Sequence, residues 1–248
     1  MFDSKTVKFG ALKAKPEQLR KTLKLANYLD LSQLTEFVPP EFDLFQGVPD
    51  SVDLNDQLGD CVVAGMAKMV RSWTQNATGT AATVTNTDIL EVYKKGAGYD
   101  PNDPSTDQGW YLLEALKYWR KYGIAGHKIG AYVAVNPKHH AMVRAASYLF
   151  GGLYVGATLP NAIWSQAVWG LGGDTSIADG HCMTSQTVLG DTPGFRTWGY
   201  AQPCAWAWWD RWVDECYAIV SKDSLKNGVN FAGLDLATLN TDLQIVSK

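Results

Sequence analysis

Asn55-Asp56-Gln57-Leu58-Gly59-Asp60-Cys61-Val62-Val63-Ala64-Gly65-Met66-Ala67-Lys68-Met69-Val70 changes character at its middle. The half ending at Asp60 is rich in turn formers. The half beginning at Cys61 is an apolar run whose one charge is Lys68. Such a run behind a polar turn predicts a buried helix with Cys61 at or just before its first turn. There the unpaired backbone N–H groups and the helix dipole favour a negative thiolate. The same pattern also describes a small thiol packed as a hydrophobe. A histidine elsewhere in the chain is needed to make the cysteine a nucleophile.

Outward from that run, the chain divides into two halves of different texture. Residues 1–15 show no period and read as an arm. Pro16 and Glu17 open a helix-like segment with an apolar stripe of Leu19, Leu23, Ala26 and Leu29 or Leu31, ending before Val38-Pro39-Pro40. After the cysteine run, Thr87-Asp88 can cap a helix over Ile89, Val92 and Tyr93. Asp107-Gln108-Gly109 precedes a strongly periodic helix through Trp119. Lys128 to Val135 alternates like a strand, and Pro137 to Tyr148 reads as a helix. The second half reads as strands over 153–159, 183–189, 195–198 and 216–220. Helices early and antiparallel-looking strands late predict an α+β fold. Seven of the ten tryptophans fall between Trp164 and Trp212, where they can fill a core or line a groove.

Bulk properties exclude several functions. A net charge of −3 over 248 residues gives no electrostatic case for nucleic acid or an anionic membrane. No run approaches a membrane span, and Met1 to Lys5 leads into no export signal. The expectation is therefore a cytoplasmic protein. Cys61, Cys182, Cys204 and Cys216 form no CxxC pair and no zinc pattern, so they read as reduced thiols. No metal cluster and no phosphate-binding glycine loop is visible, and no cofactor is expected.

Of the four histidines, His127 follows a helix and reads as structural, and His139 and His140 sit in a polar helix start. His181 leads into an alternating strand, a place where scaffolds hold active-site groups. With Cys61 it makes a candidate thiolate–imidazolium pair. The pair needs an oxyanion donor and a group to orient the ring. Asn55 or Gln57 can offer a side-chain amide, and the Cys61 N–H a second donor.

The ordered set of motifs resembles the papain-like cysteine peptidases over roughly residues 50–225. Asn55 to Cys61 matches the family's turn before its nucleophile. Asp107-Gln108-Gly109 with Ala115 and Tyr118 matches a glycine turn and second helix. Gly152 to Gly156, Gly180-His181-Cys182-Met183, Arg196-Thr197-Trp198-Gly199 and Glu215 to Val220 follow in the family's order. The resemblance implies a two-lobed fold, with a helical lobe around a central cysteine-bearing helix packed on an antiparallel sheet or barrel lobe. Residues 1–50 would form an N-terminal arm and helix, serving as a docking or pro-segment. The papain-like domain would span 51–248: helical lobe to about 150, strand lobe 151–225, tail 226–248.

It also implies roles. Cys61 is the nucleophile, His181 the general base and acid, and Asn55 or Gln57 the oxyanion donor. Gln108, Gly109 and Trp198 line the substrate cleft. Asn55 stands six before the cysteine, where the family has glutamine. Motif matching puts Arg196 at the orienting position, and counting from His181 puts Thr197 there. A threonine hydroxyl can accept from imidazole, whereas an arginine opposes imidazolium, which selects Thr197. The implied function is hydrolysis of an amide in a peptide, isopeptide or peptidoglycan cross-bridge. The Asn-Asp-x-x-Gly-Asp-Cys and Thr-Trp-Gly segments also resemble uncharacterised bacterial and bacteriophage proteins. The alternative is therefore a non-enzymatic structural or binding protein on this scaffold, such as a virion component docked through its arm.

Overall fold

In the computed structural model, which describes residues 6–27 and 38–230, the chain before the cysteine run forms only short pieces. These are β1 (Ala11–Leu12), α1 (Pro16–Lys21), a 3₁₀ turn (Leu25–Asn27) and β2 (Phe42–Asp43). The helix expected from Pro16 thus stops early. Thr22 turns extended and its N–H closes on the Leu19 carbonyl. Of the expected apolar stripe, Leu19 and Leu23 are half-buried and Ala26 is exposed, while Leu25, outside that stripe, is the fully buried residue; Leu29 and Leu31 lie outside the described residues.

The cysteine run forms α2 (Cys61–Thr78), closed by Gly79 in the left-handed conformation. It is buried nearly all round through Trp73, as a helix at the centre of a fold must be. Then come α3 (Asn86–Ala97), β3 (Trp110–Tyr111), α4 (Leu112–Lys121), β4 (Ala131–Ala134) and α5 (His140–Leu149). The cap of α3 is Thr85, two residues before the expected one, in a capping box with Asp88. The second half gives β5 (Leu153–Pro160), β6 (Ile177–Leu189), β7 (Thr192–Thr197), β8 (Tyr200–Pro203), α6 (Trp206–Trp212) and β9 (Val213–Val220). A final hairpin is β10 (Leu225–Lys226) with β11 (Val229–Asn230).

The main sheet runs β4-β9-β5-β6-β7-β8, with β2 also on β6, and its pairs are all antiparallel. This is the α+β architecture expected: α2 packs its flank across β6 and against α3 and α4. Close approach is set by Gly65, where a Cβ would stand 2.8 Å from the Tyr154 ring. Tyr154 of β5 then donates its hydroxyl to the Val62 carbonyl in the first turn of α2. Besides a small cluster of Phe42, Leu44 and Val188, two large apolar cores result, one between α2, α3 and α4, the other behind the sheet with α5 and α6. Trp169, Trp198, Trp208 and Trp209 are fully buried there, so the tryptophan-rich segment is mainly core.

The N-terminal arm lies between the two halves. β1 pairs in parallel with β3 on the helical side. On the strand side Gly10 N donates to the Gly180 carbonyl, and Ala14 N to Glu215 Oε1.

Candidate active site

Cys61 is the first residue of α2 and is buried. Its sulfur accepts a hydrogen bond from the Cys182 backbone N–H at 3.3 Å. That contact crosses from the helix to β6 and puts the sulfur next to the residue after His181. β6 begins at Ile177, so His181 lies inside a strand rather than at its start, opposite Ala157 of β5. Ladder pairing with β5 fixes its backbone on one side, and the β6–β7 ladder begins three residues on, at Thr184.

The His181 ring is fully buried. Its Nε2 is 2.6 Å from the Thr197 hydroxyl. Thr197 is the last residue of β7, and Arg196 beside it pairs with Thr184 in the β6 ladder. Trp198 and Gly199 follow, both with positive φ (44° and 79°), in a tight two-residue hairpin to β8. A tryptophan rarely takes that conformation, and here the surroundings hold it. Its ring stacks on His181 at 4.1 Å and 20°, and on Trp164 at 5.6 Å. Its Nε1 donates to the Lys8 carbonyl. His181 Nδ1 has no hydrogen-bond partner among the described residues.

Burial dominates the electrostatics of both groups. Burial pushes the Cys61 thiol up to about 12, and the adjacent Asp60 adds to the rise against the Cys182 N–H. Burial holds His181 well below its ordinary value, and the Lys68 ammonium reinforces this. Burial thus favours the neutral form of both the thiol and the imidazole. Asp60, directly before Cys61, is fully buried and pushed well above the carboxylate range by burial, only partly offset by Lys68 and the Asn55 amide. Lys68 itself, two turns along α2 from Cys61, pairs with Asp53 at 2.8 Å, and Arg71 pairs with the same carboxylate at 2.8 Å.

Of the two candidate amide donors, Asn55 is buried and lines a cavity of about 10 Å³ with Cys61, Lys68, Cys182, Thr197 and Trp198. Its Nδ2 donates to the Leu58 carbonyl. Gln57 is exposed. Gln108 is also exposed, and its amide donates to the Ser105 carbonyl. Gly109 is buried beside the arm. Arg196, which lines the same cavity, pairs with Asp43.

The arm crosses this site. Lys8 N donates to the Asn55 carbonyl at 2.8 Å, and Trp110 N to the Gly10 carbonyl at 2.7 Å. The Phe9 ring stands edge-on to His181 at 5.8 Å and to Trp198 at 5.6 Å. Only glycine fits at position 10, where a Cβ would lie 1.8 Å from the Gly59 carbonyl oxygen. Lys13 closes the far end on Asp214. Sequence reading missed Phe9 and the Lys68–Asp53–Arg71 group. The lone charge in an otherwise apolar helix was the available signal for the latter. Phe9, in an aperiodic arm, gave none. All four cysteines are free thiols. No group of His, Cys, Asp and Glu able to hold a metal occurs among the described residues.

No family model and no curated protein matches the sequence. Solved structures do match in fold. Xylellain, a cysteine protease from Xylella fastidiosa, aligns with a TM-score of 0.69 at 12% identity, covering 89% of this chain and 98% of that one. Procathepsin B from Trypanosoma congolense gives 0.59 at 11% identity, over 89% and 87% of the two chains. Bromelain from Ananas comosus, in complex with the E64 inhibitor, gives 0.54 at 14%, over 75% and 100%. At these identities the likeness is one of fold.

Proposed function

From the premise that this chain has the papain-like fold, we propose that it is a cysteine hydrolase of amide bonds in a peptide, isopeptide or peptidoglycan cross-bridge. The carrying observation is the His181 ring, held at Nε2 by Thr197 with Nδ1 unspent, on the strand residue next to the one whose N–H meets the Cys61 sulfur. Cys61 attacks the carbonyl carbon while His181 takes the thiol proton. The tetrahedral oxyanion sits at the Cys61 N–H and the Asn55 amide, which is favoured over Gln57 by its burial beside the sulfur. His181 then returns the proton to the leaving amine, and water releases the acyl group. Thr197 orients the ring, and Gly109 and Trp198 wall the cleft. Gln108 contributes backbone only.

In this reading residues 7–14 hold the site closed. The buried thiol, the low imidazole and Phe9 against the ring are one state, and release of the arm rehydrates the pair and lets it ionise. Labelling with a thiol-reactive peptide amide analogue tests both parts. Cys61 should react faster than Cys182, Cys204 and Cys216, His181→Ala should slow it, and Gly10→Leu, which cannot seat the arm, should speed it. Equal labelling of all four thiols would refute the hydrolase.

The second reading is a non-enzymatic binding or structural protein, such as a bacteriophage virion component docked through its arm. What favours it is the same closed state, in which the arm is built into the site from both walls. Assembly or partner binding that survives Cys61→Ala while the arm variant Gly10→Leu abolishes it would establish that reading.

A further inference from the structure

The turn before Cys61 and the strand edge that meets the arm are joined by two side chains with no role so far. Asp107 accepts from the Gly59 N–H with both oxygens, at 2.9 and 3.1 Å. Its Oδ1 also accepts from the Tyr93 hydroxyl at 2.6 Å. The Tyr93 oxygen in turn accepts from the Gly109 N–H at 3.0 Å. Tyr93 is fully buried on α3, stacked on Tyr99 at 5.3 Å, and burial with the neighbouring Asp107 pushes its phenol far up, so it stays protonated.

The direction of every bond is fixed by chemistry. The Gly59 and Gly109 groups in these bonds are backbone N–H donors, and a carboxylate only accepts. The phenol is the one group that can donate to Asp107 and still accept from Gly109. Gly59 stands two residues before Cys61. Gly109 stands one before Trp110, whose N–H holds the arm backbone at Gly10.

We propose that Asp107 and Tyr93 are positioning residues, a polar bridge that fixes the Cys61 turn relative to the β3 edge where a peptide backbone docks. The proposal rests on the hydrolase reading above. Neither residue touches the reacting atoms. Asp107 holds the turn directly, and Tyr93 carries that hold to the docking edge. Their losses therefore differ: Tyr93→Phe frees Gly109 alone, and Asp107→Ala frees both ends.

Two reagents read the difference in the full chain carrying Gly10→Leu, in which the arm no longer occupies the β3 edge, with Cys61 modification followed by mass spectrometry. Iodoacetamide needs only the sulfur, whereas a peptidyl epoxysuccinate also needs the strand edge. Small misplacements of reacting groups cost large factors, so Tyr93→Phe should slow the peptidyl reagent about tenfold and leave iodoacetamide within about twofold. Asp107→Ala should slow both about tenfold. Asp107→Asn, whose side-chain oxygen still accepts from Gly59, should recover the iodoacetamide rate. Equal slowing of both reagents by Tyr93→Phe, or no slowing by either variant, overturns the proposal. If Asp107→Ala does not fold, the split in Tyr93→Phe decides alone.

Failure of the underlying reading has its own signature, a wild-type Cys61 no more reactive than the other thiols. The bridge is then read by amide exchange. Gly59 and Gly109 N–H should both exchange faster in Asp107→Ala, and only Gly109 in Tyr93→Phe. Unchanged exchange overturns the bridge.

Discussion

The helical and strand walls around the candidate site are held by different forces. On the helical side, position depends on buried charge and hydrogen bonds. Asp53, at φ 61° and buried, is clamped by Lys68 and Arg71, and Asp107 ties down Gly59. On the strand side, position depends on ladder pairing and stacked rings, with Trp198 between His181 and Trp164 and one hydroxyl on the imidazole. The difference has a physical origin. A turn before a helix start exposes N–H groups and unpaired backbone that only polar side chains can satisfy once buried. A strand already satisfies its backbone in the ladder, so its side chains are free to be apolar. The helical wall should therefore answer to charge and pH, and the strand wall to shape.

The sharpest break is Lys68→Ala. Removing one partner of a buried ion group leaves Asp53 under-compensated, and a cost of about 3–5 kcal/mol is expected from urea unfolding. The pH dependence follows with a definite sign. Burial pushes Asp53 up, but Lys68 and Arg71 outweigh it and hold the carboxyl below its ordinary 3.8. A depressed folded value means the stabilisation is fully present above that ordinary value and is lost as pH falls through the depressed one. In Lys68→Ala the acid limb of the stability curve should begin at higher pH. An unchanged limb would mean that Asp53 does not depend on Lys68.

Thr197→Val, nearly the same shape, tests the one polar fastening of the strand wall. Leaving His181 Nε2 buried without a partner should cost about 1–3 kcal/mol and slow Cys61 labelling. Stability and labelling at wild-type values would show that stacking alone holds the ring. The smallest effect is expected from Trp198→Phe, which keeps an aromatic face on His181 but loses the bond to the Lys8 carbonyl. A loss of about 0.5–1.5 kcal/mol is expected, with faster amide exchange in residues 8–10 as its specific sign. A loss as large as that of Lys68→Ala would erase the distinction between the walls.

Much of this was legible in the sequence, for reasons tied to particular residues. The apolar run after Asp60 could bury itself only as a central helix, so Cys61 had to stand at its start. Alternation after residue 153 dictated strands, and the spacing of Gly180-His181 and Thr197-Trp198 along them left little freedom once the sheet was antiparallel. Other features had no local signature. Pro16 and the leucines after it promised a longer helix than Pro16–Lys21, because propensity is a weak prior and tertiary contacts override it. Asn55 and Gln57 were separated in the sequence by their spacing from Cys61, and burial adds a second, tertiary distinction in favour of Asn55.

The order of elements, the helix that carries the sulfur and the strand that carries the imidazole were thus determined by the sequence itself, because periodicity and turn chemistry are local. Tertiary structure alone decided that an aperiodic arm runs between the walls, with Phe9 on His181 and Gly10 against Gly59, and that Asp107 reaches back 48 residues to hold the cysteine turn. These are contacts between segments far apart in the chain. Their energy comes from desolvation and from hydrogen bonds that exist only once both walls are in place, and no stretch of sequence carries that information by itself.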